Sequence, residues 1–338
     1  MPLNERSIFE QAVNVISTRI KLILLQIDAG QLGIIQEIRL RVNKPVVIVT
    51  DSGCCFITDK GKLTKLYNEK CISLTNQELN DTVNRICNYS VHSCQKNINN
   101  GFVTLNGGHR AGLCGTAYYT GENEFNVRDI NSVNIRIARQ IFGASQFITS
   151  ALFKNELPSI IIAGPPSSGK TTVLKDLAYR LSSGYTVVSY KVSVMDERGE
   201  FSASYSGIPQ NDLGLNTDIL IGYKKSNAIE IALRSLSPDY IIFDEVTSKE
   251  DIQAIFKGLN SGVKFAVSVH CGNEEDFKRK EILKELLKTN SFDYIVFLSK
   301  NRNKKIYKLN CTENEITWND FNNVLRADDG NIHPLLAQ

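Results

Sequence analysis

The chain has 338 residues, 39 lysines and arginines against 36 acids, a formal net charge of +3 and 42% hydrophobic content. That length suits two domains with proper cores, and the near-balance of charge gives no global basic field that would argue for nucleic acid. No apolar run reaches the roughly 18 residues of a spanning helix, and the first twenty residues, with Glu5 and Glu10, lack the apolar core of a signal peptide. The eight cysteines form no C-x-x-C pair, and the four histidines (92, 109, 270 and 333) show no metal-ligand spacing. The expectation is therefore a cytoplasmic protein with reduced, mostly buried thiols and no structural zinc.

In chain order, apolar periodicity predicts one helix over 6–27, then two strands within Gln36–Thr50 turned by Asn43-Lys44-Pro45. Helical character returns at Asn76–Ile86 and Val91–Ile98. Strands follow at Phe102–Leu105, Ala111–Tyr119 and Val133–Ile137. This half is a small α+β module over 1–145, joined to the rest through Gly143–Pro158. Its Asn106–Arg110 stretch reads as a glycine turn, with His109 and Arg110 as exposed side chains or as something more specific. Alternation sets Arg136 opposite buried isoleucines. Arg136 and Arg139 either solvate a strand or, from their place at the junction, reach a phosphate.

Ile160–Ala163 is a short apolar run of the kind buried in a parallel sheet, and Gly164–Thr171 fits G-x-x-x-x-G-K-[ST]. Val173, Leu174, Leu177, Ala178 and Leu181 then mark one face of a helix. Gly164 and Gly169 permit the tight turn that converges backbone N–H groups on phosphate, and the helix N-terminus faces the same anion. Lys170 supplies charge to β- and γ-phosphates, and Thr171 is a magnesium ligand. The nucleotide-binding stretch is thus Gly164, Pro165, Pro166, Ser167, Ser168, Gly169, Lys170, Thr171 and Thr172.

Tyr185–Tyr190 reads as the next strand, and Asp196-Glu197-Arg198-Gly199-Glu200 as a charged cluster in the crevice at the carboxyl ends of a parallel sheet. Phe201–Ile219 is a long polar connection and Ala228–Leu236 a helix. Tyr240–Phe243 is an apolar strand ending in Asp244-Glu245, the Walker-B arrangement. Asp244 would hold magnesium and Glu245 would deprotonate the attacking water. After a helix at Asp251–Leu259, the strand Val263–Val269 ends at His270, which is either hydrogen-bonded filler or a sensor of bound nucleotide. A helix over Glu274–Lys288 and strands at Tyr294–Leu298 and Lys305–Leu309 follow; the tail from Thr317 has no informative pattern. The fold class expected is α/β, a P-loop NTPase domain with a mainly parallel sheet over 146–338 behind the smaller α+β domain.

The segments EIRLRVNKPV (37–46), NGGHRAGLCG (106–115), INSVNIRIARQIFG (130–143), MDERGEF (195–201), GIPQNDLG (207–214) and LRSLSPDYIIFDEV (233–246), together with the P-loop, resemble the stage III sporulation protein AA family. That family is similar to the hexameric ATPases of type II and type IV secretion. The resemblance implies a RecA-like, ATP- and Mg2+-dependent homo-oligomeric ring, expected to be a hexamer. It also implies membrane-embedded sporulation channel proteins as partners, and a place at the membrane on the mother-cell side. It places Asp196 and Glu200 in the Asp box and His270 in the His box of the secretion ATPases. The chain has Thr247 where the sporulation family usually has glycine, and it lacks the cysteine-rich metal insert, so no zinc carries over. Two other readings stand beside it. A nucleic-acid-dependent RecA-like ATPase would call for a basic patch with stacking aromatics, against which the near-neutral charge counts. A small-molecule kinase has little need of the Asp-Glu doublet or of the leading domain.

Overall fold

The computed structural model describes residues 4–99, 101–119, 121, 125–154, 156–186, 188–288, 291–299, 304–311 and 316–320. Contacts divide the chain into two compact units, 1–140 with 203–211, and 141–202 with 212–338.

The first unit begins with three short helices, α1 (Glu5–Val13), α2 (Thr18–Leu24) and α3 (Ala29–Leu32), where a single long one is expected. The periodicity is right but the axis is not continuous. Ser17 is extended and donates its buried N–H to Thr82 Oγ1 at 3.0 Å, so Ile16 turns inward and the chain restarts. The strands are β1 (Ile35–Arg41), β2 (Val47–Thr50), β3 (Gly53–Ile57), β4 (Leu63–Thr64), β5 (Val103–Thr104), β6 (Arg110–Tyr119) and β7 (Phe125–Arg136). They form one antiparallel sheet in the order β4-β3-β2-β1-β7-β6-β5. Between β4 and β5 lie α4 (Asn76–Ile86) and α5 (Val91–Asn99). Thr75 and Glu78 form a capping box on α4. Glu78 also takes both branches of the Arg19 guanidinium, at 2.6 and 2.9 Å, and this pair brings its carboxyl down to about 2. Phe9, Val13, Ile20 and Leu24 pack with Ile38, Leu40, Val133 and Ile135 in the core.

His109 is not the exposed turn residue expected. It is fully buried, its Nδ1 accepts the Ala138 N–H at 3.0 Å, and among the described residues Nε2 has no partner at hydrogen-bond geometry. Arg110 lies 4.5 Å over the Phe102 ring. The sequence signal misled because a glycine turn is usually a solvated tip, whereas residues 203–211 belong to this unit and Gln210 accepts the Gly107 N–H at 2.7 Å.

The second unit carries α6 (Gln146–Leu152), β8 (Ile160–Gly164), α7 (Lys170–Ser182), β9 (Val192–Asp196), β10 (Thr217–Ile221), α8 (Lys225–Ser235), β11 (Tyr240–Phe243) and α9 (Lys249–Asn260). They are followed by β12 (Lys264–His270), α10 (Glu274–Arg279), α11 (Glu281–Lys288), β13 (Tyr294–Leu298), β14 (Lys304–Cys311) and β15 (Ile316–Asp320). The sheet order is β10-β9-β11-β12-β8-β13-β14-β15, parallel from β10 to β13 and antiparallel beyond. Successive strand residues point to opposite faces. Ile160, Ile162, Val194 and Ile242 therefore pack with α6 and α7, while Ile161, Ala163, Phe243 and Val267 pack with α8 and α9.

Five expectations shift in this unit. The strand expected at Tyr185–Tyr190 begins only at Val192. The earlier residues close α7 instead, with Tyr185 N–H and Tyr190 N–H on the carbonyls of Arg180 and Leu181, both at 3.0 Å. Residues 143–158 are not a free connector, because Asp176 of α7 accepts the N–H of Gly143 (2.8 Å) and of Ser145 (2.7 Å), and α6 buries Ile148 and Leu152. The connection after Phe201 contains β10, and the tail contains β15. The helix expected over 274–288 breaks at Lys280, whose ψ of 119° is not helical. Among the described residues no helix is long and apolar enough to cross a membrane.

Burial, with Arg139 nearby, lowers His109 to about 4 from an ordinary 6.5. The unfolded chain therefore binds a proton between these values that the folded chain refuses. The stability tied to neutral His109 is complete above pH 6.5 and is lost as pH falls toward 4. Urea unfolding from pH 7 to pH 4.5 should show a steeper loss in the parent than in His109→Gln.

Candidate active site

The pleat and register of the parallel strands decide what meets at their carboxyl ends. Gly164 of β8 is level with His270 of β12, and Phe243 of β11 is level with both Val267 of β12 and Met195 of β9. The next residue along each of these strands therefore brings Asp244, Ser268 and Asp196 to one level. There the cavity opens, about 430 Å³ in volume. Its lining residues all belong to the second unit, among them Gly169, Lys170, Thr171, Asp196, Glu200, Asp244, Glu245 and His270.

The loop between β8 and α7 wraps its own lysine. A Cβ on Gly164 would stand 2.4 Å from the Leu298 carbonyl oxygen, so only glycine fits there. Gly169 has φ +92°, a left-handed conformation that costs glycine nothing. Ser167 shares it at φ 62°. Lys170 is buried, and Nζ donates to the carbonyls of Gly164 (2.9 Å) and Pro165 (2.8 Å) and to His270 Nδ1 (3.0 Å). All three ammonium protons are thereby used, and His270 carries its own proton on Nε2, which faces Glu245 Oε1 at 3.8 Å. Burial pulls the Lys170 pKa down, against the opposing pull of Asp244, Cys271 and Glu245.

Asp244 accepts from Thr171 Oγ1 through one oxygen and from Ser268 Oγ through the other. The Thr171 hydroxyl and the Asp244 carboxylate are thus adjacent hard-oxygen donors, and the pair fits Mg2+, which takes one or two protein oxygens and keeps water and phosphate for the rest. Glu245 follows with φ 62°, a left-handed backbone uncommon outside glycine, held by its N–H on Ser268 Oγ at 2.9 Å. This turn takes its carboxylate off the line of β11, where Arg198 stands at 3.8 Å. Thr247 does not loosen the loop behind it. Its N–H bonds Asp251 Oδ2 at 3.1 Å, and Ser248 and Asp251 form a capping box on α9.

The other expected residues separate. Glu200 lines the cavity, as does Asp196. The Asp196 carboxylate, however, is spent on the backbone, accepting from Phe201 N–H at 3.0 Å, Ser202 N–H at 2.8 Å and Ser202 Oγ at 2.6 Å. It shapes the wall and does not present a free charge. Arg136 is exposed at the end of β7. Arg139, read as either solvating a strand or reaching a phosphate, is engaged within the first unit, where its guanidinium donates to Glu5 Oε2 (2.9 Å) and to the carbonyls of Ile35 and Leu32 (2.7 Å each). Sequence reasoning missed Lys225, which lines the cavity from the start of α8, where a lysine pair reads as solvated surface.

Comparison with known proteins gives the following. The description "Sporulation stage III, protein AA" matches residues 6–310. Stage III sporulation protein AA of Bacillus subtilis (strain 168) is 32% identical over 291 residues, covering 86% of this chain and 91% of that protein. Among solved structures, the Yersinia pseudotuberculosis ATPase DotB aligns with TM-score 0.50 and 14% identity over 85% of this chain and 74% of its own. The Legionella pneumophila ATPase DotB aligns with TM-score 0.49 and 17% identity, over 87% and 80%. At such identities the Yersinia likeness is one of fold.

An amide at Asp196 would turn its N–H donors toward the N–H of either Phe201 or Ser202. Asp196→Asn is expected to lower stability by about 1–3 kcal/mol, the range for a buried group left without its partner. Urea unfolding at pH 7 measures it.

Proposed function

The chain belongs to the sporulation stage III, protein AA family, and on that footing we propose that it is an ATP-hydrolysing motor whose active site is the cavity at the ends of β8, β9, β11 and β12. The observation that carries this reading is the meeting of Lys170, Thr171, Asp244 and Glu245, drawn from two loops about 75 residues apart, around one cavity. Backbone N–H groups of residues 167–171 and the Lys170 ammonium bind the β- and γ-phosphates. Thr171 and Asp244 hold Mg2+, which when bound neutralises charge on those oxygens. Glu245 orients the attacking water and takes its proton, and His270 steadies both Lys170 and Glu245 from the neighbouring strand.

As the family resemblance implies, the chain would act as a homo-oligomeric ring, and we take six subunits as the working number. Its task in a spore former would be to drive assembly of, or transport through, the channel between mother cell and forespore, from the mother-cell side of the membrane. Arg136 is the arginine we assign to a neighbouring subunit's nucleotide, since Arg139 is committed inside its own unit.

Lys170→Ala should abolish nucleotide binding. Glu245→Gln should bind ATP as the parent does and hydrolyse it about a hundredfold more slowly, the usual size of a general-base effect. Phosphate release and equilibrium binding separate the two. Parental turnover in the Gln variant would move the base to another carboxylate, Glu200 first. If Arg136 works across subunits, mixing Arg136→Ala with Lys170→Ala protein should restore part of the turnover that each lacks alone.

A further inference from the structure

The cavity holds a second buried ammonium that none of the sequence motifs accounts for. Lys225 is the first residue of α8, and its side chain is 10% exposed, with Nζ 3.2 Å from Glu197 Oε2. Two physical terms oppose a cation there. Burial strips its water, and the first turn of a helix is the positive end of the macrodipole. Against them, among the described residues, stands an ion pair with one carboxylate on a turn, itself 37% exposed. A phosphate group carries more negative charge than the Glu197 carboxylate and so competes with it for this cation.

The topology says which part of a triphosphate it would meet. Lys170 follows β8, and α8 follows β10, at the far side of the sheet order β10-β9-β11-β12-β8. The two lysines thus approach the cavity from opposite sides, with Glu245 at the end of β11 between them. A phosphate chain seated on Lys170 and reaching the water that Glu245 activates presents its terminal group toward Lys225. Arg198 is a poorer candidate, since its side chain is 72% exposed and its ion pair with Glu245 is long at 3.8 Å.

We propose that Lys225 binds the γ-phosphate, leaving Glu197 to do so, and makes the site prefer nucleoside triphosphates over diphosphates. This rests on the nucleotide reading of the cavity. Glu197 is then a competing anion that holds Lys225 until the terminal phosphate arrives. The rival role is a brace, in which the pair only pins the turn after β9 to α8.

The two roles give opposite signs. Dissociation constants for Mg-ADP and for the Mg complex of the non-hydrolysable analogue AMP-PNP are measured on full-length parent, Lys225→Met, Glu197→Gln and Lys170→Ala. Lys225→Met should lose about ten- to a hundredfold in AMP-PNP affinity, the size of a hydrogen bond to a charged group, with ADP affinity within about twofold of the parent. Glu197→Gln frees the ammonium and should strengthen AMP-PNP binding severalfold relative to ADP. A brace predicts that both variants weaken both nucleotides alike, or change neither, and either result overturns the proposal. If Lys225→Met does not fold, the sign of the Glu197→Gln effect decides. A parent that binds neither nucleotide, or Lys170→Ala protein that binds as well as the parent, overturns the nucleotide reading itself.

Discussion

The buried ammonium of Lys170 is the interaction on which the second unit's architecture converges. An ammonium out of water must be fully hydrogen-bonded or it destabilises the fold. Two of its acceptors are carbonyls of its own loop and the third is His270, on the strand next to β8. Those acceptors exist only because Gly164 lets the loop pass close to Leu298 and because β8 and β12 are in a register that sets Gly164 beside His270. On the other side of β12, its register with β11 sets Ser268 beside Asp244, and Ser268 then positions both the Asp244 carboxylate and the Glu245 amide. One residue of slip in β12 would turn each of these groups to the other face.

The sequence made the centre of this arrangement legible and its surroundings much less so. A glycine loop between an apolar strand and a helix, and an apolar strand ending in two acids, carry their chemistry in residue types at fixed spacing. They name Lys170, Thr171, Asp244 and Glu245 without reference to the rest of the chain. Tyr185–Tyr190 is rich in residues that favour strands, yet those residues serve the last turn of α7, because local backbone donors found free helix carbonyls first. The first helices merged into one because hydrophobic period reports a buried face and not a straight axis. Neither the setting of Arg139 nor that of Lys225 was legible. A charged residue just past a strand or at a helix start is ordinarily solvated, and only tertiary partners, Glu5 for one and Glu197 for the other, reveal the exception.

The boundary between the units was also beyond linear reading. The 143–158 stretch has the small residues of a connector, but Asp176 ties its start to α7. Conversely, residues 203–211 lie between motifs of the nucleotide unit and yet belong to the first. The cavity wall from Asp196 to Ser202 therefore runs by covalent continuity into a segment that meets the Asn106–Gly108 turn, through Gln210 on the Gly107 N–H. Asp196, whose carboxylate holds Phe201 and Ser202 in place, stands at the start of that path.

The central claim is that the hydroxyl of Thr171 and the carboxylate of Asp244, hydrogen-bonded to each other here, are magnesium donors beside a bound triphosphate. A crystal or electron-microscopy structure of the chain with AMP-PNP and Mg2+ tests it most directly. The triphosphate should be wrapped by residues 164–171, with Lys170 Nζ turned from the Gly164 and Pro165 carbonyls onto phosphate oxygen and a metal held by Thr171 and Asp244. Nucleotide bound elsewhere, or triphosphate in the cavity with the Thr171–Asp244 hydrogen bond intact and no metal between them, would contradict it.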